Sequence, residues 1–221
     1  MRLDYWNRDN LIEGGKNIFV FRNTCHWSPE IQERIFNEVY SKIQHGLFDI
    51  VFVEGVVGEY LSLRITEDAL MEYSYKRRGA CPSVRDLLAN RCISEMDSGN
   101  LKLYGIEDEF VLKKYVDVVR EIVPLSYRVD GGDADLDEIG RFEFLKQEMD
   151  VSSKLRILTC SDNIVKQMEQ NKQNVAGLIF GDGHCDEITN NLFNRGIGYA
   201  SFSPGKVPVD LLENLRYARH F

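Results

Sequence analysis

Four short apolar runs in this chain each end at an ionisable residue, and that repeated pattern constrains the fold more than any other feature. Ile18-Phe19-Val20-Phe21 leads into Arg22-Asn23-Thr24-Cys25-His26, and Gly177-Leu178-Ile179-Phe180 leads into Gly181-Asp182-Gly183-His184. Ile50-Val51-Phe52-Val53 stops at Glu54, and Leu101 to Ile106 stops at Glu107-Asp108. Continuous apolar runs of this length fit strands buried on both faces. If the strands are parallel, their ionisable ends emerge along one sheet edge, where open α/β proteins place ligand crevices. The expected fold is α/β, a mainly parallel sheet with helices on both faces.

The intervening stretches supply the crossovers. Ser28-Pro29-Glu30 combines a serine cap, a proline at the first helical position and an early acid; Ile31, Ile35, Val39 and Ile43 then recur every fourth residue until His45-Gly46. Strand, helix and second strand make a βαβ unit. Phe110 to Val123 is a predicted helix with a stop at Pro124, and Leu136, Ile139, Phe142, Leu145 and Met149 form the apolar face of the next. Ser161 to Gln170 is predicted helical, while Leu155 to Thr159 suits either a strand or a helix. A short helix over Glu187 to Asn194, a strand over Ile197 to Phe202 and a helix over Val209 to Arg219 complete the prediction.

A chain of 221 residues, 43% of them hydrophobic, suits one α/β domain spanning 1–221. Residues 58–100 exceed what a crossover needs and are expected to form a helical insertion over the strand ends, a candidate lid. The basic cluster Lys76-Arg77-Arg78 within it is read as a solvated face. The net charge of -8 argues against nucleic acid or an anionic membrane as partner. Met1 to Asn10 carries charges and no apolar core of a signal peptide, so a cytoplasmic location is expected. The 5 cysteines contain no C-x-x-C pair, which fits reduced thiols.

Two familiar motifs fail on inspection. Gly181-Asp182-Gly183 follows a strand as a dinucleotide fingerprint would, but Asp186 holds the third-glycine position and no acid stands near Ala200 to bind a ribose, so no nucleotide is expected. The acidic loop after Asp130 has Glu138 where a calcium loop turns on glycine and Phe144 where it needs glutamate. Gly-Asp-Gly-His is instead read as a sharp turn that points His184 into the crevice. Cys25-His26 and His184-Cys185 are poor nucleophile and base pairs, since neighbours on extended backbone point opposite ways.

What remains is the constellation of His26, Glu54 and His184. Two histidines and a carboxylate at adjacent strand ends can hold a divalent metal with open positions, or can activate water by general base catalysis. The structural alternative makes the histidines hydrogen-bonding residues under a loop and Glu54 a cap.

Asn23-x-x-His26, the strand ending in Glu54, Tyr104-Gly105-Ile106-Glu107-Asp108 and Gly181-x-x-His184 together resemble the superfamily containing the TraB and Tiki proteins, the erythromycin esterases and the ChaN-like haem-binding lipoproteins. The resemblance covers residues 16 to 204 in motif order, with 59 to 100 unmatched. It implies a single site built from the two His motifs and the glutamate, with Asn23, Glu107, Asp108, Gly181 and Asp182 supporting it. It implies hydrolysis of a peptide, ester or lactone, metal-dependent in the Tiki branch and through histidine alone in the esterase branch. Asn23 stands where the first motif has glycine, and Ser161-Asp162 stands where many members have arginine followed by Asp or Asn. The negative charge of Asp182 and Glu107 favours an ion (Mn, Co or Zn) held by His26, Glu54 and His184. The alternative function is a non-catalytic module binding haem or a peptide in the same crevice.

Overall fold

The computed structural model describes residues 5–24, 29–55, 57–59 and 102–205. Its strands are β1 (Tyr5–Asn10), β2 (Lys16–Asn23), β3 (Ile50–Val53), β4 (Val57–Glu59), β5 (Lys102–Ile106), β6 (Val175–Gly181) and β7 (Ile197–Ser203). Its helices are α1 (Pro29–Gln44), α2 (Glu109–Asp130), α3 (Leu136–Gln170) and α4 (Asp182–Phe193). The strands form one 7-stranded mixed sheet in the order β1-β7-β2-β6-β3-β5-β4. From β7 to β5 every neighbouring pair is parallel, and β1 and β4 close the two sides antiparallel. The fold is therefore α/β, with the carboxyl ends of β2, β6, β3 and β5 on one edge, as the apolar runs predict.

The alternation of side chains divides the core in two. Ile18 and Val20 of β2, Ile50 and Phe52 of β3 and Leu178 and Phe180 of β6 cluster with Ile157, Cys160, Ile164 and Met168 of α3 and with Cys185, Ile188 and Leu192 of α4. Phe19, Phe21, Val51, Val53 and Ile179 cluster instead with Ile31, Ile35 and Val39 of α1. Every residue of β3 is buried, which is why its sequence shows no polar alternation. α1 ends in a Schellman motif: Leu47 N–H donates to the Lys42 carbonyl at 3.0 Å and Gly46 N–H to Ile43 at 2.8 Å, with Gly46 at φ 66°.

Several boundaries differ from those read in the sequence. α2 continues through Pro124 to Asp130. Ion pairs Arg141–Glu121 and Arg128–Glu138 fasten it to α3 on both sides of the proline, offsetting the lost backbone hydrogen bond. Leu136 to Gln170 is one helix of 35 residues that includes Leu155 to Thr159, because nothing between Arg141 and Gln170 is glycine or proline. Its predicted apolar face is used in part: Leu145 is buried and Phe142 and Met149 are half-buried, but Leu136 and Ile139 are exposed. At ~1.5 Å per residue α3 is far longer than any strand. Asn171, just past its end, meets Lys102 and Tyr104 near the start of β5, so its amino-terminal half runs past the far edge of the sheet with α2 as its packing partner. β1 is missing from the sequence reading because Trp6-Asn7-Arg8-Asp9-Asn10 is polar; Trp6 anchors it, ring edge against Phe19 and Phe21 at 5.5 and 5.6 Å. Gly58 and Glu59, assigned to the helical insertion, belong to β4, which pairs with β5. The rest of that insertion and the helix predicted over 209–219 lie outside the described residues. No helix among the described residues is long and apolar enough to cross a membrane.

Candidate functional site

At the carboxyl edge of the sheet the neighbouring strands β3 and β5 each release a glutamate, and one arginine from α3 bridges the two. Arg156 donates from Nε to both oxygens of Glu107, at 3.1 and 3.0 Å, and its Nη2 also bonds Glu107. The same Nη2 donates to Glu54 Oε1 at 2.8 Å. Arg156 is 4% exposed and Glu107 3%, so this pair is screened by protein rather than water. Burial by itself would lower the Arg156 pKa, but the charges of Glu107 and Glu54 hold it above the ordinary arginine value, and the guanidinium stays cationic. Its face lies over the Tyr115 ring, 5.0 Å from the centroid, so α2 contributes to its seat.

The backbone completes the cluster. Glu54 Oε2 accepts the Gly181 N–H at 2.6 Å, tying the end of β3 to the end of β6. Glu107 Oε1 accepts the Gly55 N–H at 3.1 Å. Gly55 has φ 80°, a left-handed conformation that turns the chain sharply after Glu54 and that a side chain would strain. Glu107 Oε2 also accepts from Cys160 Sγ at 3.3 Å, and Asn163 Nδ2 donates to the Ile106 carbonyl at 2.9 Å. With its side chain 19% exposed, Glu54 is the carboxylate that faces solvent, and Glu107, at 0%, is the one behind it.

The other predicted residues that are described have different partners. Asn23 is buried at the end of β2, paired in register with Gly181. Asp108 caps α2, accepting from the Phe110 and Val111 amides at 3.0 Å each, so its carboxylate serves the helix. Gly181-Asp182-Gly183-His184 makes no sharp turn: α4 begins at Asp182, and neither Gly181 nor Gly183 has positive φ. His184 therefore sits in the first turn of a helix, half-buried, with its ring edge toward Phe180 at a centroid distance of 6.4 Å. Asp182 is held by Arg22 Nε at 2.5 Å. His26 and Cys25 lie outside the described residues.

Arg156, the residue that joins the two glutamates, went unread in the sequence. The resemblance put the arginine position at Ser161-Asp162, yet Ser161 is buried with its hydroxyl on the Ile157 carbonyl, and Asp162 pairs with Arg195. In the sequence Arg156 stands between Leu155 and Ile157 with small residues, Ser152 and Cys160, one turn away on each side; in the structure Ile157, Ser152 and Cys160 are buried with it. Of the described thiols, Cys160 and Cys185 are both buried. Burial, followed by the charge of Glu107, pushes the Cys160 pKa up, and burial likewise raises that of Cys185, so both stay protonated near neutral pH. Among the described residues no group of three His, Cys, Asp or Glu side chains is arranged to hold a metal.

Compared with protein-family models, curated proteins and solved structures, the chain matches none.

Proposed function

We propose that the chain is a hydrolase of the TraB/Tiki, erythromycin esterase and ChaN-like kind, activating water at the carboxyl edge of the sheet with His26, Glu54 and His184 on a peptide, ester or lactone. One histidine takes the proton from water, and Glu54 orients that histidine or the water. The observation that carries the reading is the Arg156 bridge. A partly exposed carboxylate, Glu54, is fixed by Arg156 at one oxygen and the Gly181 amide at the other, immediately before the turn that holds His184. Side chains locked by such partners are what catalysis by orientation requires.

The same geometry supports one branch of the resemblance over the other. A divalent ion was favoured by the negative charge of Glu107 and Asp182, but Arg156 neutralises the first and Arg22 pairs with the second. Arg156 supplies, beside Glu54, the positive charge that an ion would otherwise bring, and on that ground we assign water activation to histidine without metal. In this reading helices cover both faces of the sheet, which the two separate core clusters support.

The test is a panel of esters, lactones and peptides offered to the wild-type protein and to the His26→Ala and His184→Ala variants, with and without chelator. The expected result is turnover that survives chelation and is lost in both variants while their cooperative melting is retained. Loss on chelation with recovery in manganese, cobalt or zinc would return the site to the metal branch. Tight binding of haem or a peptide without turnover would establish the binding module instead.

A further inference from the structure

α4 carries His184 in its first turn, and that turn has an acid, Asp182, but no side-chain cap. Its N-cap is Gly181, which makes no side-chain capping bond, and Gly183 is its second residue. Glycine lacks the side chain that satisfies the unpaired amides of a helix start, and within a helix it is about 1 kcal/mol less favourable than alanine.

Order comes from outside the helix. On β2 the residues Ile18 and Val20 point into the cluster that contains Cys185, Ile188 and Leu192 of α4. Arg22 is the next position on that side, where the strand emerges beside the helix start. Its Nε meets Asp182 Oδ1 at 2.5 Å and its Nη1 meets Asp186 Oδ1 at 2.8 Å. The two acids are one turn apart and bracket His184 in sequence. Glu54 holds the same turn from the other side through the Gly181 amide.

We propose that Arg22 is the positioning residue for His184, clamping the first turn of α4 through Asp182 and Asp186. The proposal rests on the hydrolase reading only for its kinetic consequence. Arg22 touches no reacting atom; it fixes where the imidazole stands relative to Glu54. Its fork suits this task because one planar group reaches two carboxylates at once, which a lysine ammonium does less well.

The test uses Arg22→Gln and Arg22→Lys, with Asp186→Asn as a variant that removes one arm of the clamp without touching β2. Hydrogen exchange is followed at the Cys185 and Asp186 amides, the first in α4 with carbonyl partners inside the helix, and the His184 ring resonances are recorded by NMR. Arg22→Gln should raise exchange at those amides at least ~10-fold and shift the ring resonances, while protection at Val51 to Val53 stays unchanged. Arg22→Lys and Asp186→Asn should fall between. On any ester the protein turns over, kcat should drop roughly 10- to 100-fold in Arg22→Gln with KM little changed. Unchanged amides and ring resonances in Arg22→Gln would overturn the clamp. Altered ones in a protein that hydrolyses nothing would uphold the clamp and sink the hydrolase reading. If Arg22→Gln does not fold, unchanged His184 resonances in Asp186→Asn would overturn it.

Discussion

Arg156 and Glu107 meet through Nε and both carboxylate oxygens, at 3.1 and 3.0 Å, with side chains only 5% and 0% exposed. A pair this deep is costly to break from one side. Arg156→Met should destabilise the fold by about 3–5 kcal/mol, since it leaves the Glu107 charge buried without its partner. The double variant Arg156→Met/Glu107→Leu should lose much less than the two single losses added together. Urea unfolding of the three proteins checks this; simple additivity would show that the pair does not interact energetically.

Glu54 answers differently because it reaches solvent. Glu54→Gln keeps an oxygen for the Gly181 amide and leaves Arg156 its bonds to Glu107, losing only the Arg156 bond, where its NH2 now faces a donor, so the melting temperature should fall less than in Arg156→Met. Hydrolysis should drop by about 10²- to 10⁴-fold if Glu54 orients the histidine or the water. An equal fall in melting temperature for the two variants would assign Glu54 to packing.

The two buried thiols give a pH dependence. Both have folded pKa values raised, by burial first, so their contribution is complete below the ordinary thiol value of ~8.5 and is lost as pH rises toward the folded value. In that alkaline window only the unfolded chain releases the protons, and stability should fall by about 1.4 kcal/mol per pH unit for each thiol. Cys185→Ala should flatten the slope by one thiol's share. Denaturant unfolding at pH 8 and pH 10 measures it, and a thiol reagent should modify neither Cys160 nor Cys185 until the protein unfolds.

Gly198 offers a steric test away from the site. A methyl group there would lie 2.3 Å from Asn17 Oδ1, 2.6 Å from the Ile12 nitrogen and 2.7 Å from the Asn10 carbonyl oxygen. The asparagine also pins the loop before β2, donating to Ile12 and Gly15 carbonyls and accepting from the Ile12 amide. Gly198→Ala should therefore cost roughly 1–3 kcal/mol in thermal or urea unfolding. Gly140, with nothing near its added methyl, is the control expected to tolerate alanine.

The fold was legible where the physics is local and redundant. β2, β3 and β6 announce themselves because a strand covered on both faces must be apolar at every position, and Ile31, Ile35 and Val39 mark α1 by period alone. The runs before Glu54 and Glu107, read as parallel strands, put both acids on one edge, and β3 and β5 are parallel neighbours. Arg156 was not legible in the same way, because a basic residue in a helix ordinarily reads as surface, and its burial depends on two glutamates distant in the sequence. Pro124 misled for a related reason: ion pairs from α3 keep α2 helical beyond it. The first turn of α4 read as a loop since its glycines disfavour a helix, and Arg22 and Glu54 lie too far away in the chain to signal otherwise.

The sheet order carries a kinetic consequence. β6 lies between β2 and β3, with Val175 beside Asn17 and Gly177 beside Val51, so the centre of the sheet is filled by a strand made late in synthesis. Until Val175 to Gly181 leaves the ribosome, β2 and β3 have no strand to join them, and each exposes unpaired backbone N–H and C=O groups able to pair with another chain. Closure of such distant contacts is slow, and α1, packed on one face of these strands, leaves their edges open meanwhile. Truncation before β6 should therefore yield aggregates rather than a smaller folded domain, and Glu54, whose outer oxygen waits for Gly181, acquires its final geometry only when that last central strand docks.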